Sequence, residues 1–261
     1  AVHGPYLVNL AGADEGFWQR SIETLVTDLG VAHAYGARFL NIHVGSHRGL
    51  GREQGIARLA EGVRRVLERV PGSAAEDGTP APLLVLENSA GSGDGIGSSL
   101  EDLATILDAI AATGADPARV GICLDTAHLW AAGHEIDSAA GVELFAHRAE
   151  ALIGERLVML HLNDARGKRG SRLDRHEHIG AGEIGAEGLR AVLEHPFLGR
   201  LPTYLETPGM DLGYDKVNLA RVGRLLAGAE LPRLSAKAFS VRGSRSRSAP
   251  VSRRQAATAA A

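Results

Sequence analysis

One stretch of the sequence, HLNDARGKRGSRLDRHEHIGAGEIG from His161 onward, combines two kinds of chemistry. Imidazole and carboxylate groups are ligands for divalent metal ions. Here they are supplied by His161, Asp164, Asp174, His176 and His178. Basic side chains bind phosphate groups, and the same stretch contains Arg166, Lys168, Arg169, Arg172 and Arg175. Taken alone, the stretch fits two interpretations equally well: a loop that holds cations and receives a polyanion, or a solvated surface loop of mixed charge.

Further residues of the metal-binding type stand at the ends of short apolar segments. RFLNIH, APLLVLE, RVGICLD, RLVMLH and LPTYLE each end in such a residue, and most are followed by a segment with helical spacing. Near-continuous apolar strands that alternate with amphipathic helices predict a parallel sheet covered by helices. With a first strand that ends at His3, the polar strand ends are His3, His43, Glu87, Asp125, His161 and Glu206.

The number of these strand ends favours a barrel over an open sheet. A TIM (β/α)8 barrel collects side chains from several strands at one face, whereas a doubly wound sheet concentrates its site at one switch point. The sequence therefore predicts an α/β fold of the TIM barrel type, although only six strand ends are visible.

Three more candidate ligands bring the set to nine. His128 follows Asp125 in LDTAH, and Asp174 and His176 form a pair in LDRH. A four-coordinate site that keeps one position open needs about three protein ligands, so nine residues suffice for about three ions. His47 and His178 flank the set and are candidates for orienting ligands. We expect the other histidines to be structural: His33, His134, His147 and His195.

Composition sets limits on the remaining possibilities. No apolar run is long enough to span a membrane, and the single cysteine, Cys123, is expected to be a buried, inert thiol. A cytoplasmic location follows from these features. Residues 235–261 contain six basic residues and no acidic residue, so the first 234 residues carry a net charge of −9 against −3 for the whole chain. We predict a barrel domain over residues 1–230 and a disordered basic tail over 231–261.

Several motifs resemble those of the endonuclease IV family, the apurinic/apyrimidinic (AP) endonucleases with three zinc ions in a TIM barrel. The longest are HGPYLVNLA from His3, GICLDTAH from Gly121 and LHLNDARGKRGSRLDRH from Leu160. NIHVGSH, VLENSAGSG and YLETP also match in order and spacing, so the resemblance extends from His3 to about Leu226. Val8, Ala127 and Arg166 are mild departures from the family pattern, and none is a candidate ligand.

The resemblance implies a ligand set for each of three Zn²⁺ ions, with Glu87, Asp125 and Glu206 as the carboxylates nearest the reaction. The first ion would be held by His3, His43 and Glu87. The second would be held by Glu87, Asp125, His161 and Glu206. The third would be held by His128, Asp174 and His176.

The resemblance also implies a substrate, double-stranded DNA that contains an abasic site. Family members cleave the phosphodiester bond 5′ to that site in base excision repair, and removal of 3′-blocking groups is expected as a second activity. Tyr6 and Leu7 correspond to residues that wedge into the DNA stack. The basic residues of the opening stretch, Arg166 to Arg175, would contact the DNA backbone.

The start of the chain departs from the family pattern. His3 already stands at the end of the family's third strand, so about 65 residues, with two strands and most of a third, have no counterpart here. We therefore expect an incomplete barrel with exposed sheet edges, which would favour oligomers or aggregation, whereas a complete barrel would be monomeric. Two rival interpretations stay open: a sugar isomerase or epimerase on a related barrel, and an inactive truncated fragment that binds metal.

Overall fold

A sheet of six parallel strands forms the centre of the protein, in the order β1-β2-β3-β4-β5-β8. The computed structural model describes residues 1–70, 72, 78 and 80–241. The strands of the sheet are β1 (Val2–His3), β2 (Phe39–His43), β3 (Leu83–Glu87), β4 (Val120–Asp125), β5 (Leu157–His161) and β8 (Thr203–Tyr204). Two short strands, β6 (Asp164–Ala165) and β7 (His176–Glu177), pair antiparallel in the loop after β5.

Helices follow the strands along the chain and cover one face of the sheet. They are α1 (Glu15–Ala34), α2 (Arg52–Arg69), α3 (Leu100–Ala112), α4 (Thr126–Ala132), α5 (Ala139–Leu152), α6 (Gly185–Glu194), α7 (Tyr214–Leu226) and α8 (Ala236–Ser240). Side chains cap several of their N-termini, where backbone N–H groups lack helical partners. Asp125 is one of these caps: its Oδ1 accepts a hydrogen bond from His128 N at 2.9 Å, which explains the spacing of the LDTAH motif.

Two apolar clusters hold the sheet, one on each face. Alternate strand residues such as Leu40, Leu84 and Leu124 are fully buried against the helices. Phe39, Val85, Cys123 and Met159 form the second cluster on the concave face. Burial raises the pKa of the Cys123 thiol to about 12, as a buried and inert cysteine requires.

The sheet is a curled half-barrel, which confirms the prediction of an α/β TIM barrel fold. β1 and β8 are its two edges. Curling brings these edges toward each other. The evidence is that the amino group of Ala1 lies 3.3 Å from Tyr204 Oη on the opposite edge. Within the described ranges, no helix has the length and apolar character needed to cross a membrane.

The first part of the predicted disordered tail differs from expectation. Residues 231–241 are described and include α8, whose Ala238 is fully buried, while Val241 is 8% exposed. The Ser-, Ala- and Arg-rich composition of the tail predicts disorder because few apolar groups are available for burial. Its first residues are nevertheless held by contacts with residues distant in sequence, described below. The rest of the predicted tail, 242–261, lies outside the described residues.

Candidate metal centre

The register of the sheet places the strand-end residues side by side. His43 is the partner of Glu87, and Asp125 is the partner of His161. The carboxyl ends of parallel strands face the same side of the sheet, so these side chains form a row. The curl then closes the row, since His3 Nε2 on one edge lies 3.8 Å from Glu206 Oε1 beyond the other edge.

Four overlapping groups of side chains have ligand atoms within 4.8 Å of one another. One of them contains the protonated thiol of Cys123 with Glu87 and His161, and the other three contain only imidazoles and carboxylates. The groups share Glu87 and Asp125, which are both fully buried. The first group matches the predicted set for one ion and the second matches the four predicted ligands of another. The three groups without the thiol are, in this order, His3, His43 and Glu87; Glu87, Asp125, His161 and Glu206; and Asp125, His128 and His176.

The third group contains Asp125 where the resemblance implies Asp174. Asp174 is nevertheless at the same place, because its Oδ1 lies 3.3 Å from His128 Nε2 and 3.6 Å from His176 Nε2. The Asp174 side chain is 42% exposed, so it approaches the group from the solvent side. The structure thus brings all nine predicted ligands into one cluster at the carboxyl ends of the strands.

Backbone carbonyl groups orient three of the histidines. Nδ1 of His3, His128 and His176 lies 2.7, 2.9 and 2.9 Å from the carbonyl oxygens of Gly4, Asn88 and Glu206, respectively. A carbonyl oxygen only accepts, so Nδ1 of each ring must carry a proton, and Nε2 is the nitrogen whose lone pair is left for a metal ion. That lone pair is directed into the cluster, as metal binding requires.

Three buried asparagines fix the carboxylates, and the sequence analysis did not find them. Asn41 Nδ2 donates to Glu87 Oε2 at 2.5 Å, and Asn163 Nδ2 donates to Asp125 Oδ2 at 2.6 Å. Asn88 Oδ1 accepts from the backbone N–H of Asp125 at 2.7 Å. Their signal in the sequence is a polar residue inside or beside an apolar strand, since each lies within two residues of His43, Glu87 or His161.

Unpaired buried atoms show that the cluster fits a cation. Glu87 Oε1, His161 Nδ1 and His176 Nε2 are buried and make no hydrogen bond with the described residues. His161 Nδ1 lies 3.2 Å from Glu87 Oε1, but the two atoms do not form a hydrogen bond. Buried polar atoms without partners are costly, and a metal ion would give a partner to ligand atoms that lie within 4.8 Å of one another. A mixed set of imidazoles and carboxylates suits Zn²⁺.

The charges of the cluster also favour a cation. Burial tends to raise the pKa of Glu87, but the positive charges of the imidazoles of His161, His3 and His128 outweigh it and hold this pKa well below its usual range. Burial tends to lower the pKa of His128, yet the carboxylates of Asp125, Asp174 and Glu87 raise it to about 10. The carboxylates are therefore ionised, and their negative charge attracts positive charge to this place, either protons on the imidazoles or a metal ion.

The two predicted DNA-wedging residues lie at the rim of the cluster. Tyr6 is 78% exposed and Leu7 is 74% exposed, although both are large apolar side chains. The Tyr6 ring is 5.6 Å from the His43 ring, measured between centroids. Exposed apolar groups beside a polar cleft are typical of a surface that contacts a ligand.

The predicted DNA-contact residues of the basic loop fall into two sets. Arg166 and Arg169 form ion pairs with Glu177 and Glu135 at 3.0 and 2.8 Å, respectively, and Arg175 donates to the carbonyl oxygen of Asp174 at 2.9 Å. For the side chains of Lys168 and Arg172, no ion pair or hydrogen bond is found with the part of the chain that the structure describes. Lys168 and Arg172 are therefore the cations most available to an incoming phosphate group.

The two flanking histidines have different surroundings. His47 lies outside the cluster, where its Nδ1 accepts from Gly51 N at 3.2 Å and its Nε2 is 3.9 Å from Asp94 Oδ1. His178 is fully buried next to the loop that carries His176. Of the two, His178 is the one placed where it can act on a predicted ligand.

Fold and site together define a barrel protein with a cluster of metal ligands at the carboxyl ends of its strands. The family model described as "Xylose isomerase-like TIM barrel" matches residues 1–224. A probable endonuclease 4 of Methanoculleus marisnigri is 40% identical over 87% of this chain and 77% of its own length. A second, of Solibacter usitatus, is 43% identical over 88% of this chain and 77% of its own length.

A solved structure agrees with these sequence relatives. Endonuclease IV from Thermus thermophilus superposes with a TM-score of 0.67 and 33% identity, covering 85% of this chain and 75% of that protein. The chain belongs to the endonuclease 4 family. It is thus a hydrolase of the endonuclease class, as the motifs predicted.

Proposed function

We propose that this protein is a zinc-dependent AP endonuclease that hydrolyses the phosphodiester bond 5′ to an abasic site in double-stranded DNA. The observation that carries the proposal is the convergence of nine imidazole and carboxylate side chains at a single face, supplied by the ends of six strands, helix α4 and the loop after β5. Membership of the endonuclease 4 family supports the choice of DNA as the substrate.

The ligand groups support binding of three Zn²⁺ ions, with Glu87 shared between the first and second groups and Asp125 between the second and third. Bound there, zinc would supply a water molecule with a pKa lowered to about 7 as the nucleophile, and positive charge beside the phosphate oxygens. The chain's own residues hold the carboxylates in place: Asn41 fixes Glu87 and Asn163 fixes Asp125. This preorganisation means that the side chains need not rearrange when the DNA arrives.

The rim supports recognition of a lesion rather than of a base sequence. Tyr6 and Leu7 can fill the space left in the stack when an abasic nucleotide is turned out toward the cluster. Turning a nucleotide out costs least where base pairing is already lost. Lys168 and Arg172 can contact phosphates on the same side of the site, which fixes the position of the duplex without reading its sequence.

We also propose that the protein removes 3′-blocking groups and acts in base excision repair. The same site would remove 3′-blocking groups, because these also present a phosphodiester or phosphomonoester to the metal ions. Both activities produce a 3′-hydroxyl group, which a DNA polymerase can extend in base excision repair.

The sugar isomerase interpretation is not supported by a separate observation. The family model takes its description from xylose isomerase, but the relatives at 40% and 43% identity carry the name endonuclease 4. Five of the nine clustered side chains are histidines, whereas a polyhydroxy sugar is bound chiefly by carboxylates, which accept hydrogen bonds from its hydroxyl groups.

The test is incision of a duplex with one abasic site by the full chain, with the zinc content measured on the same sample. We expect incision on the 5′ side of the lesion and close to three zinc ions per chain, as the three ligand groups imply. A duplex without the lesion and a ketose substrate serve as controls. Equal cleavage of the two duplexes, or turnover of the ketose alone, would contradict the proposal.

A further inference from the structure

The segment Pro232–Val241 lies behind the loops that carry three of the candidate ligands. We call it the C-terminal brace. The side chain of Arg221 in α7, which is 4% exposed, attaches its start by donating from Nη1 to the carbonyl oxygen of Pro232 at 2.7 Å. The same guanidinium donates from Nε to the carbonyl oxygen of Ile179. The brace and the end of the His176 loop are therefore tied to one side chain.

His178 connects the middle of the brace to that loop. Its Nε2 lies 3.1 Å from the carbonyl oxygen of Ala238, so Nε2 must carry the proton. Nδ1 is then the acceptor for Asn218 Nδ2 at 3.0 Å, and Asn218 Oδ1 accepts from the backbone N–H of Ile179 at 3.1 Å. His178 is fully buried and both of its nitrogens are engaged, which leaves it one orientation.

Arg166 connects the end of the brace to β7. Its Nη2 donates to the carbonyl oxygen of Val241 at 3.1 Å, and its Nε donates to Glu177 Oε2 at 3.0 Å. Its backbone N–H donates to the carbonyl oxygen of Arg175 at 2.9 Å. Arg166 thus contacts the residues on both sides of His176, and two of its donors are occupied within the protein.

The loop that carries Glu206 is also covered by the brace. A Cβ atom at Gly209 would lie 2.8 Å from Val241 Cγ1, so the backbone and the valine are in close contact there. Gly209 also has a φ of +73°, in the left-handed region that favours glycine. His176 Nδ1 donates to the carbonyl oxygen of Glu206, which links the two loops in front of the brace.

We propose that the C-terminal brace is a positioning element for the metal centre, with Arg166 and His178 as its positioning residues. It holds the loops of Asp174, His176 and Glu206 in the geometry that binds metal. The choice of zinc as the metal rests on the proposed function, whereas the contacts of the brace are observed in the structure. It also changes the role expected of Arg166 from DNA contact to positioning. Changes to groups that orient ligands typically cost 10–100-fold in metal affinity or activity.

Two truncations and one pair of substitutions test this role. A chain that ends at Val241 keeps the brace, and a chain that ends at Leu231 lacks it. Phe239→Ala removes a ring 6.3 Å from the His178 ring, and Lys237→Ala changes an exposed residue on the same helix as a control. Each metal-free protein is titrated with Zn²⁺ against a chromophoric chelator, and the exchange rate of the Ile179 amide hydrogen is measured before metal is added.

Without the brace, we expect zinc to bind about 10–100-fold more weakly at the two groups that contain His176 and Glu206, while the group of His3, His43 and Glu87 keeps its affinity. Exchange at Ile179 should become faster, and Phe239→Ala should change both quantities in the same direction. The chain that ends at Val241 and Lys237→Ala should behave like the full chain. Since Phe239 is 45% exposed, its replacement keeps the test valid if the shorter truncation fails to fold.

Unchanged zinc affinity and unchanged exchange of the Ile179 amide in Phe239→Ala would overturn the positioning role proposed for the brace. Equal weakening of all zinc sites in proportion to a fall in Tm would also overturn it, because that result indicates a general loss of stability. The titration is independent of catalysis. If the full chain fails to incise abasic DNA while the expected zinc effects are observed, the endonuclease proposal fails and the brace is supported.

Discussion

Replacement of Asn163 by alanine should weaken zinc binding at the metal centre as well as the stability of the fold. Asn163 is fully buried, and its side chain contacts two candidate ligands. Nδ2 donates to Asp125 Oδ2 at 2.6 Å, while Oδ1 accepts from the backbone N–H of Glu206 at 2.8 Å. The alanine variant removes both contacts, so the Asp125 carboxylate can rotate and the Glu206 backbone loses its partner.

The magnitude follows from these two contacts. A group that orients a metal ligand contributes about 10–100-fold to metal affinity or activity, which corresponds to about 1.4–2.7 kcal/mol. An unsatisfied buried donor costs about 1–3 kcal/mol of stability. Asn163→Ala should therefore reduce zinc affinity at the group of Glu87, Asp125, His161 and Glu206 by about 10–100-fold, with a similar fall in kcat/KM for abasic DNA.

Asn9→Ala is the matched control. Asn9 Nδ2 donates to the carbonyl oxygen of Ser46 at 2.8 Å, and Asn9 Oδ1 accepts from the backbone N–H groups of Ala11 and Ser46. None of these contacts involves a candidate ligand, so the control should lose stability but keep its zinc. Zinc titration of the metal-free proteins and thermal unfolding measure the two effects. If Asn163→Ala binds zinc as tightly as Asn9→Ala does, the asparagine does not orient the centre and our reasoning is refuted.

Three other predictions concern the carboxylate, the basic loop and the buried thiol. Glu87→Gln should abolish incision, because it removes the charge shared by two ligand groups, and should keep most of the affinity for abasic DNA in a binding assay. An equal loss of binding and rate would indicate a purely structural role for Glu87. Arg172→Ala should weaken DNA binding regardless of sequence and reduce the slope of log K against log salt by about 0.9, the value for one phosphate contact. Arg169→Ala should change this slope less, because the Arg169 guanidinium is already paired with Glu135. The Cys123 thiol, with a pKa of about 12, should be only about 10⁻⁴ ionised at pH 8 and should not react with a thiol reagent until the protein is denatured. Because this folded pKa lies above the ordinary value, the stability that Cys123 contributes falls as the pH rises toward 12. Rapid labelling of the native protein would contradict the burial of this thiol.

The ring of strand-end ligands could be predicted from the sequence because local patterns determine it. His43, Glu87, Asp125 and His161 each close an apolar segment, and strands of a parallel sheet point their carboxyl ends to the same side. Once a parallel sheet is predicted, the proximity of these residues follows without knowledge of side-chain packing. The i to i+3 spacing of Asp125 and His128 is equally local, because the aspartate caps the helix that carries the histidine.

Other features depend on contacts between segments far apart in the sequence, and only the tertiary structure decided them. Asn163 is 38 residues from Asp125, and Arg166 is 75 residues from Val241, yet each pair is joined by a hydrogen bond. Composition alone assigned residues 231–241 to a disordered tail, because it gives no information on the buried surface that receives Ala238. The strength of these long-range hydrogen bonds depends on burial and geometry, which the residue types alone do not reveal. The sequence therefore determined which side chains form the centre, and the folded chain determined which residues hold them in position.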